Sequence, residues 1–345
     1  MESKETQHEN VQEKTRKHWL SHHCGLKNID TIPMVGDASF RRYFRVYSDQ
    51  CSFVLMDASL QREQCRPYIA IADALRAMGL QTPEIIAADL TQGFLLITDF
   101  GDLTYLRALH LENADQLYKE ALSALARLQS CREIKGQVIP SFTDHIMWQE
   151  WQCHKDWFLN QLLQISLSRK VEQDLDQCFL KIIEAVKQQP FVFMHRDYHS
   201  ANLMVLPHHQ VGLLDFQDAF IGPLTYDLAS LLRDCYIHWP EEAVTRWVYF
   251  YFEKMKEQGV LKQVSQEEFL RWFDWMSIER HLKALFTFAR KQVRDQQSKY
   301  LDSIPRTLHY LIQVTERYTE FTMLHDYLET IIEPTFKQAR LSCVL

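Results

Sequence analysis

Two different periods of hydrophobic and polar positions run along this chain, and the change from one to the other divides it. Between residues 32 and 98 the pattern is mostly that of strands. Ile32 to Val35 reads as a short strand, Gly36-Asp37-Ala38-Ser39 as a turn, and Arg42 to Tyr47 as a strand rich in aromatic and β-branched residues. Ser48-Asp49-Gln50 turns the chain into a third strand, Ser52 to Met56. One helix is predicted over 67–78, with Ile71, Leu75 and Met78 at i, i+4 and i+7 and Gly79 at its end. Strands follow at 84–88 and 94–98. After Gly101 the period lengthens. Glu112 to Ser130 sets Leu117, Leu122, Leu125 and Leu128 on or near one helical face, and helical patterns dominate from there on. A β-like island interrupts them: Leu203 to Leu206 and Val211 to Leu214 flank Pro207-His208-His209-Gln210, which reads as a hairpin loop. The expected architecture is α+β, with a small β-rich N-terminal lobe at 1–99 and a larger helical C-terminal lobe at 100–345, hinged near Thr98 to Asp102.

Composition narrows what such a protein does. With 345 residues the chain is too long for one small core. Its formal net charge of −7 and the lack of a strongly basic block argue against nucleic acid, which needs a clustered positive footprint. Met1 to His18 is polar and mixed in charge, without the apolar stretch of a secretory signal. Apolar runs such as Phe94 to Ile97 are far too short to span a bilayer. The eight cysteines are dispersed and form no C-x-x-C pair, which suits buried thiols in a reducing compartment. The expectation is a cytoplasmic protein with no membrane association and no evident obligatory protein partner. Seven of the tryptophans crowd the second lobe, from Trp148 to Trp275, and are read as core.

The chemistry gathers at the hairpin. His195-Arg196-Asp197 followed by Asn202 has the spacing H-x-D-x4-N of a phosphoryl-transfer loop. Such transfer needs a carboxylate to orient the acceptor hydroxyl and hard oxygen ligands for magnesium. Asp197 fits the first role. Asn202 and Asp215, thirteen residues apart across the hairpin, fit the second. His195 reads as a packing residue. Taken singly, each is as readily a core or turn residue; their order is what carries the reading. Asp99-Phe100-Gly101 spells a metal-binding motif but precedes the loop, so it is expected at the hinge near an adenine ring rather than at the metal. The order of elements around this loop is that of a protein-kinase-like bilobal fold.

With His195, Asp197, Asn202, Asp215-Phe216 and Gly222-Pro223-Leu224-Thr225-Tyr226-Asp227-Leu228-Ala229 in place, the chain resembles the aminoglycoside phosphotransferase and choline kinase superfamily. Gly36 to Tyr43, Val54 to Ala58, Asp215 to Ala219, Leu231 to Tyr236 and Arg280 to Lys283 are similar to the bacterial N-acetylmuramate/N-acetylglucosamine anomeric kinases, over about Trp19 to Leu311. The resemblance implies ATP and Mg²⁺ as cofactors and a small sugar as acceptor, phosphorylated at its 1-hydroxyl during peptidoglycan recycling. It implies that Asp227 starts a helix and bonds back to the catalytic loop. Nucleotide contacts are expected from Ser39, Phe40, Arg42, Val54, Asp99 and Phe100. His199, Asp218, Arg233 and Arg280 are expected at the acceptor, with either arginine pairing the N-acetylmuramate carboxylate. The chain departs from kinases where a strand lysine should pair with phosphate, because Met56 stands there. Arg41, Arg42 or Arg45 is the expected replacement. Another acceptor, such as an aminoglycoside or choline, and a nucleotide-binding pseudokinase are the alternatives.

Overall fold

The computed structural model describes residues 4–34, 41–49 and 51–341. The chain divides into two compact units, one of residues 1–76 with 82–102 and one of residues 77–81 with 103–345. The turn expected at Gly36 to Ser39 lies outside the described residues, and so do the nucleotide contacts expected of Ser39 and Phe40.

The first unit opens on a helix that the hydrophobic pattern did not predict, α1 (Lys4–His22). Its sequence is polar through most of its length, so it lacks the apolar stripe that marks an amphipathic helix. Trp19 and Leu20, near its end, pack with Phe44, Val46, Leu55, Phe94 and Leu96 in the core of this unit. The sheet comprises β1 (Asp30–Pro33), β2 (Arg42–Ser48), β3 (Cys51–Asp57), β4 (Ile85–Asp89) and β5 (Phe94–Thr98), in the order β1-β2-β3-β5-β4. Every pairing is antiparallel. The helix α2 (Cys65–Ala77) buries Tyr68, Ile71 and Leu75 at three- and four-residue spacing. The predicted strands are thus present, with β1 two residues earlier than expected.

In the second unit the helices are α3 (Tyr105–Ala108), α4 (Ala114–Leu128), α5 (Asp144–Cys153) and α6 (Arg169–Lys187), then α7 (Tyr226–Leu232) and α8 (Glu241–Glu257), followed by α9 (Gln266–Val293), α10 (Ile304–Glu316), α11 (Thr322–Tyr327) and α12 (Glu333–Leu341). A π-helical stretch, His154–Leu162, continues α5 and packs on α9. Sixteen of the 28 residues of α9 are buried, including Trp272 and Trp275, and α6, α7 and α10 lie against it. Two small antiparallel ribbons flank the segment expected to be catalytic: β6 (Phe191–Met194) with β9 (Phe220–Pro223), and the predicted hairpin β7 (Leu203–Leu206) with β8 (Gln210–Leu213). Gly222, opposite Val192, is required by a close approach: a Cβ there would stand 2.6 Å from the Met194 sulfur. Among the described residues no helix is long and apolar enough to cross a membrane. The seven described cysteines are free thiols; Cys65, Cys131, Cys178 and Cys235 are buried, whereas Cys51 is exposed.

Candidate active site

The segment from His195 to Asn202 connects β6 of one ribbon to β7 of the other. Carboxylates from beyond the segment hold it at both ends. Asp227, fully buried in the first turn of α7, accepts hydrogen bonds from the backbone amides of His195 at 2.7 Å and Arg196 at 2.9 Å. Those bonds stabilise an Arg196 backbone in the left-handed region, at φ 80°. Burial pushes the Asp227 carboxyl up to about 7, against the pull of the two amides. At the far end Asp234 accepts from the Ser200 amide at 2.9 Å and from its hydroxyl at 2.5 Å. Tyr198 is buried and donates its hydroxyl to the Ala121 carbonyl. His195 is fully buried edge-on to Tyr198; burial pushes its imidazole down to about 4, so it packs as a neutral ring.

Between these anchors Asp197 presents a side chain that is 36% exposed, with Arg280 Nη2 at 3.8 Å. Burial alone would raise its carboxyl, but Lys283, Arg280, His199 and Arg196 outweigh that and hold it well below the usual carboxylate range. Lys283 donates to the Tyr226 hydroxyl at 2.6 Å. Behind this group lie two carboxyls on different helices, Glu150 of α5 and Glu279 of α9, 9% and 1% exposed. Glu150 accepts from Arg196 at 3.4 Å. Burial, with Glu150 beside it, pushes the Glu279 carboxyl well above its ordinary value. Its protonated form is therefore favoured, which avoids two buried like charges.

The residues expected at the metal are joined through the hairpin. Asn202 donates its side-chain amide to the Asp197 carbonyl at 3.1 Å, which turns its Oδ1 the other way. Its own carbonyl accepts from the Leu214 amide at 3.0 Å, so Asn202 lies against the residue preceding Asp215. Asp215 is exposed and left-handed, at φ 60°, and Gln217 donates to its Oδ1 at 2.6 Å. One amide oxygen and one exposed carboxylate suit magnesium, which takes its remaining ligands from phosphates and water.

Of the residues expected at the acceptor, the structure brings His199 and Arg280 to Asp197. His199 stands 3.5 Å from the Asn202 amide nitrogen and edge-on to Tyr236. Asp218 is exposed two positions from Phe220, where β9 begins. Arg233 is a correction. It lies just past the end of α7, its side chain is fully buried, and its guanidinium is bound to Asp274 at 2.7 Å, Glu241 at 2.8 Å and the Ser277 hydroxyl at 2.8 Å. A guanidinium engaged in this way is structural. His281 is likewise buried, stacked on Tyr310 and bonded to the Arg233 carbonyl.

In the β-rich unit, Val54 is buried on β3, paired with Arg45 and Ile97. Asp99 and Phe100 follow β5, and Arg45 binds the Asp99 carboxylate at 2.7 Å and Asp102 at 2.9 Å. Arg42 is bound to Asp57 at 2.8 Å, which it shares with Arg16. Two of the three arginines expected to replace the strand lysine are therefore each paired with a carboxylate.

Lys283, Glu150, Glu279, Gln217 and Asp234 were given no role from sequence. Arg280 and Lys283 are three apart on one helix, and that spacing alone places them on a common face.

A model of the family described as "Phosphotransferase enzyme family" matches residues 30–259. The chain is 39% identical to N-acetylmuramate/N-acetylglucosamine kinase of Pseudomonas aeruginosa over 88% of each chain. It is 36% identical to the protein of that name from Neisseria meningitidis, over 92% of this chain and 95% of the other. Among solved structures, choline kinase LicA from Streptococcus pneumoniae shares the fold, with a TM-score of 0.60 at 14% identity over 88% of this chain and 99% of that one. The extent of these matches shows that the chain belongs to the phosphotransferase enzyme family, among the N-acetylmuramate/N-acetylglucosamine kinases.

Proposed function

We propose that this protein transfers the γ-phosphoryl group of ATP to the anomeric hydroxyl of N-acetylmuramate and N-acetylglucosamine, acting in the cytoplasm without a protein partner. The observation that carries the reading is Asp197: a partly exposed carboxylate kept ionised by Arg280 and Lys283 on a loop fixed at both ends. In this reading Asp197 accepts a hydrogen bond from the sugar 1-hydroxyl and orients its oxygen toward the γ-phosphorus. The new oxygen–phosphorus bond forms as the bond to the β-phosphate oxygen breaks; the hydroxyl proton passes to Asp197, and ADP leaves. Asn202 and Asp215 would hold magnesium, which would supply positive charge along the phosphates. An anomeric hydroxyl is more acidic than other sugar hydroxyls, so it asks less of Asp197 as a base. Peptidoglycan recycling is the process such a product serves.

Phosphorus NMR of the purified protein with ATP, Mg²⁺ and each of N-acetylmuramate, N-acetylglucosamine, an aminoglycoside and choline tests this. A sugar 1-phosphate is expected, lowered by about two to four orders of magnitude in Asp197→Asn. Turnover confined to the other acceptors would remove the sugar assignment, and bound nucleotide without turnover on any acceptor would remove the enzymatic one.

A further inference from the structure

Gln217 is buried, at 6% exposure, two residues beyond Asp215. Its side-chain nitrogen donates to Asp215 Oδ1 at 2.6 Å and lies 3.5 Å from Asp218 Oδ2. Its Oε1 is shielded from solvent and has no hydrogen-bond partner. Leaving a buried acceptor unsatisfied costs stability, and such an arrangement persists where the other end of the group is constrained. Here the constrained end is the amide nitrogen on Asp215.

Asp215 needs such a constraint. It is exposed, and its backbone occupies the left-handed region, which a side chain with a Cβ adopts only where its surroundings fix it. A hydrogen bond to one carboxylate oxygen sets the plane of the group. The choice of donor matters as well. A lysine or arginine would orient the carboxylate but offset its charge, whereas a neutral amide orients it without adding a positive charge of its own.

We propose that Gln217 is a positioning residue that orients Asp215 for magnesium and sets how tightly the ion is held. The proposal rests on the reading of Asp215 as a metal ligand, and the two fail differently.

The test is a Mn²⁺ titration of the full-length protein in the presence of ADP, followed by electron paramagnetic resonance, for the native protein, Gln217→Leu, Gln217→Met and Asp215→Asn. Both Gln217 variants are expected to weaken Mn²⁺ about tenfold, the usual effect of losing a hydrogen-bond partner of a metal ligand. Asp215→Asn should weaken it further. The Mg²⁺ concentration for half-maximal turnover of N-acetylglucosamine should rise in parallel in the Gln217 variants. Thermal melting is read alongside. If the branched leucine disturbs the fold, the unbranched methionine decides. Native Mn²⁺ affinity in the Gln217 variants, with weakened binding in Asp215→Asn, overturns the proposal alone. Native affinity in Asp215→Asn overturns both the ligand reading and the proposal.

Discussion

Arg280 and Arg233 carry the same charge, yet their side chains do opposite things. Arg280 reaches Asp197, whereas Arg233 is enclosed by Asp274, Glu241 and Ser277. Arg280→Met should therefore change chemistry. In the proposed reading Asp197 accepts the hydroxyl proton only when ionised, and its carboxyl is held low in part by Arg280. Removing that cation raises the Asp197 pKa, so the acid limb of the rate–pH profile moves to higher pH, more at low salt than at high. The profile is best measured on N-acetylglucosamine, whose neutrality keeps acceptor charge out of the result; an unmoved limb would mean that Lys283 and Arg196 suffice. If Arg280 also meets the carboxylate of N-acetylmuramate, the variant loses more activity on that sugar than on N-acetylglucosamine. Sequence alone could place Asp197, Asn202 and Asp215, because they are close along the chain and their spacing reports one loop. It could not separate the two arginines, since the partners of Arg233 include Asp274, 41 residues away.

Elements were legible where their period was strong. The strands from β2 to β5, α2 and the β7–β8 hairpin all repeat apolar residues in a recognisable rhythm. The helix α1 does not, for its buried apolar residues, Trp19 and Leu20, come at its end after a polar run. The strands β6 and β9 are four residues each, too short for a period to show. That α1 is nonetheless part of the fold can be measured. Trp19→Ala should destabilise the protein by about 3–5 kcal/mol in urea unfolding, as for other buried aromatics. Val11→Ala, at a position 62% exposed on the same helix, should stay within about 0.5 kcal/mol of native. Equal effects of the two would contradict the packing of Trp19 described here.

At the scale of the whole molecule the buried titratable groups set how stability responds to pH. His154, His195 and His281 are pushed down by burial to about 4, about 4 and about 3. Below their ordinary value near 6.5 the unfolded chain binds three protons there that the folded protein refuses, which favours unfolding. Asp227 and Glu279 act the other way, because both are raised on folding and hold protons that the unfolded chain releases. The two sets oppose each other on acidification below about pH 6. Asp227→Asn removes a group that holds a proton in the folded state, so the variant should lose more stability than the native protein between pH 6 and pH 5 in urea titrations; an equal loss would contradict the raised carboxyl. Asp227 has a second consequence, shared with Asp234. One stands in the first turn of α7 and the other just past its end, and together they hold both ends of the loop that carries Asp197. A loop already confined in this way surrenders little conformational entropy when ATP and sugar arrive, so more of the energy of their encounter is left for discriminating one acceptor from another.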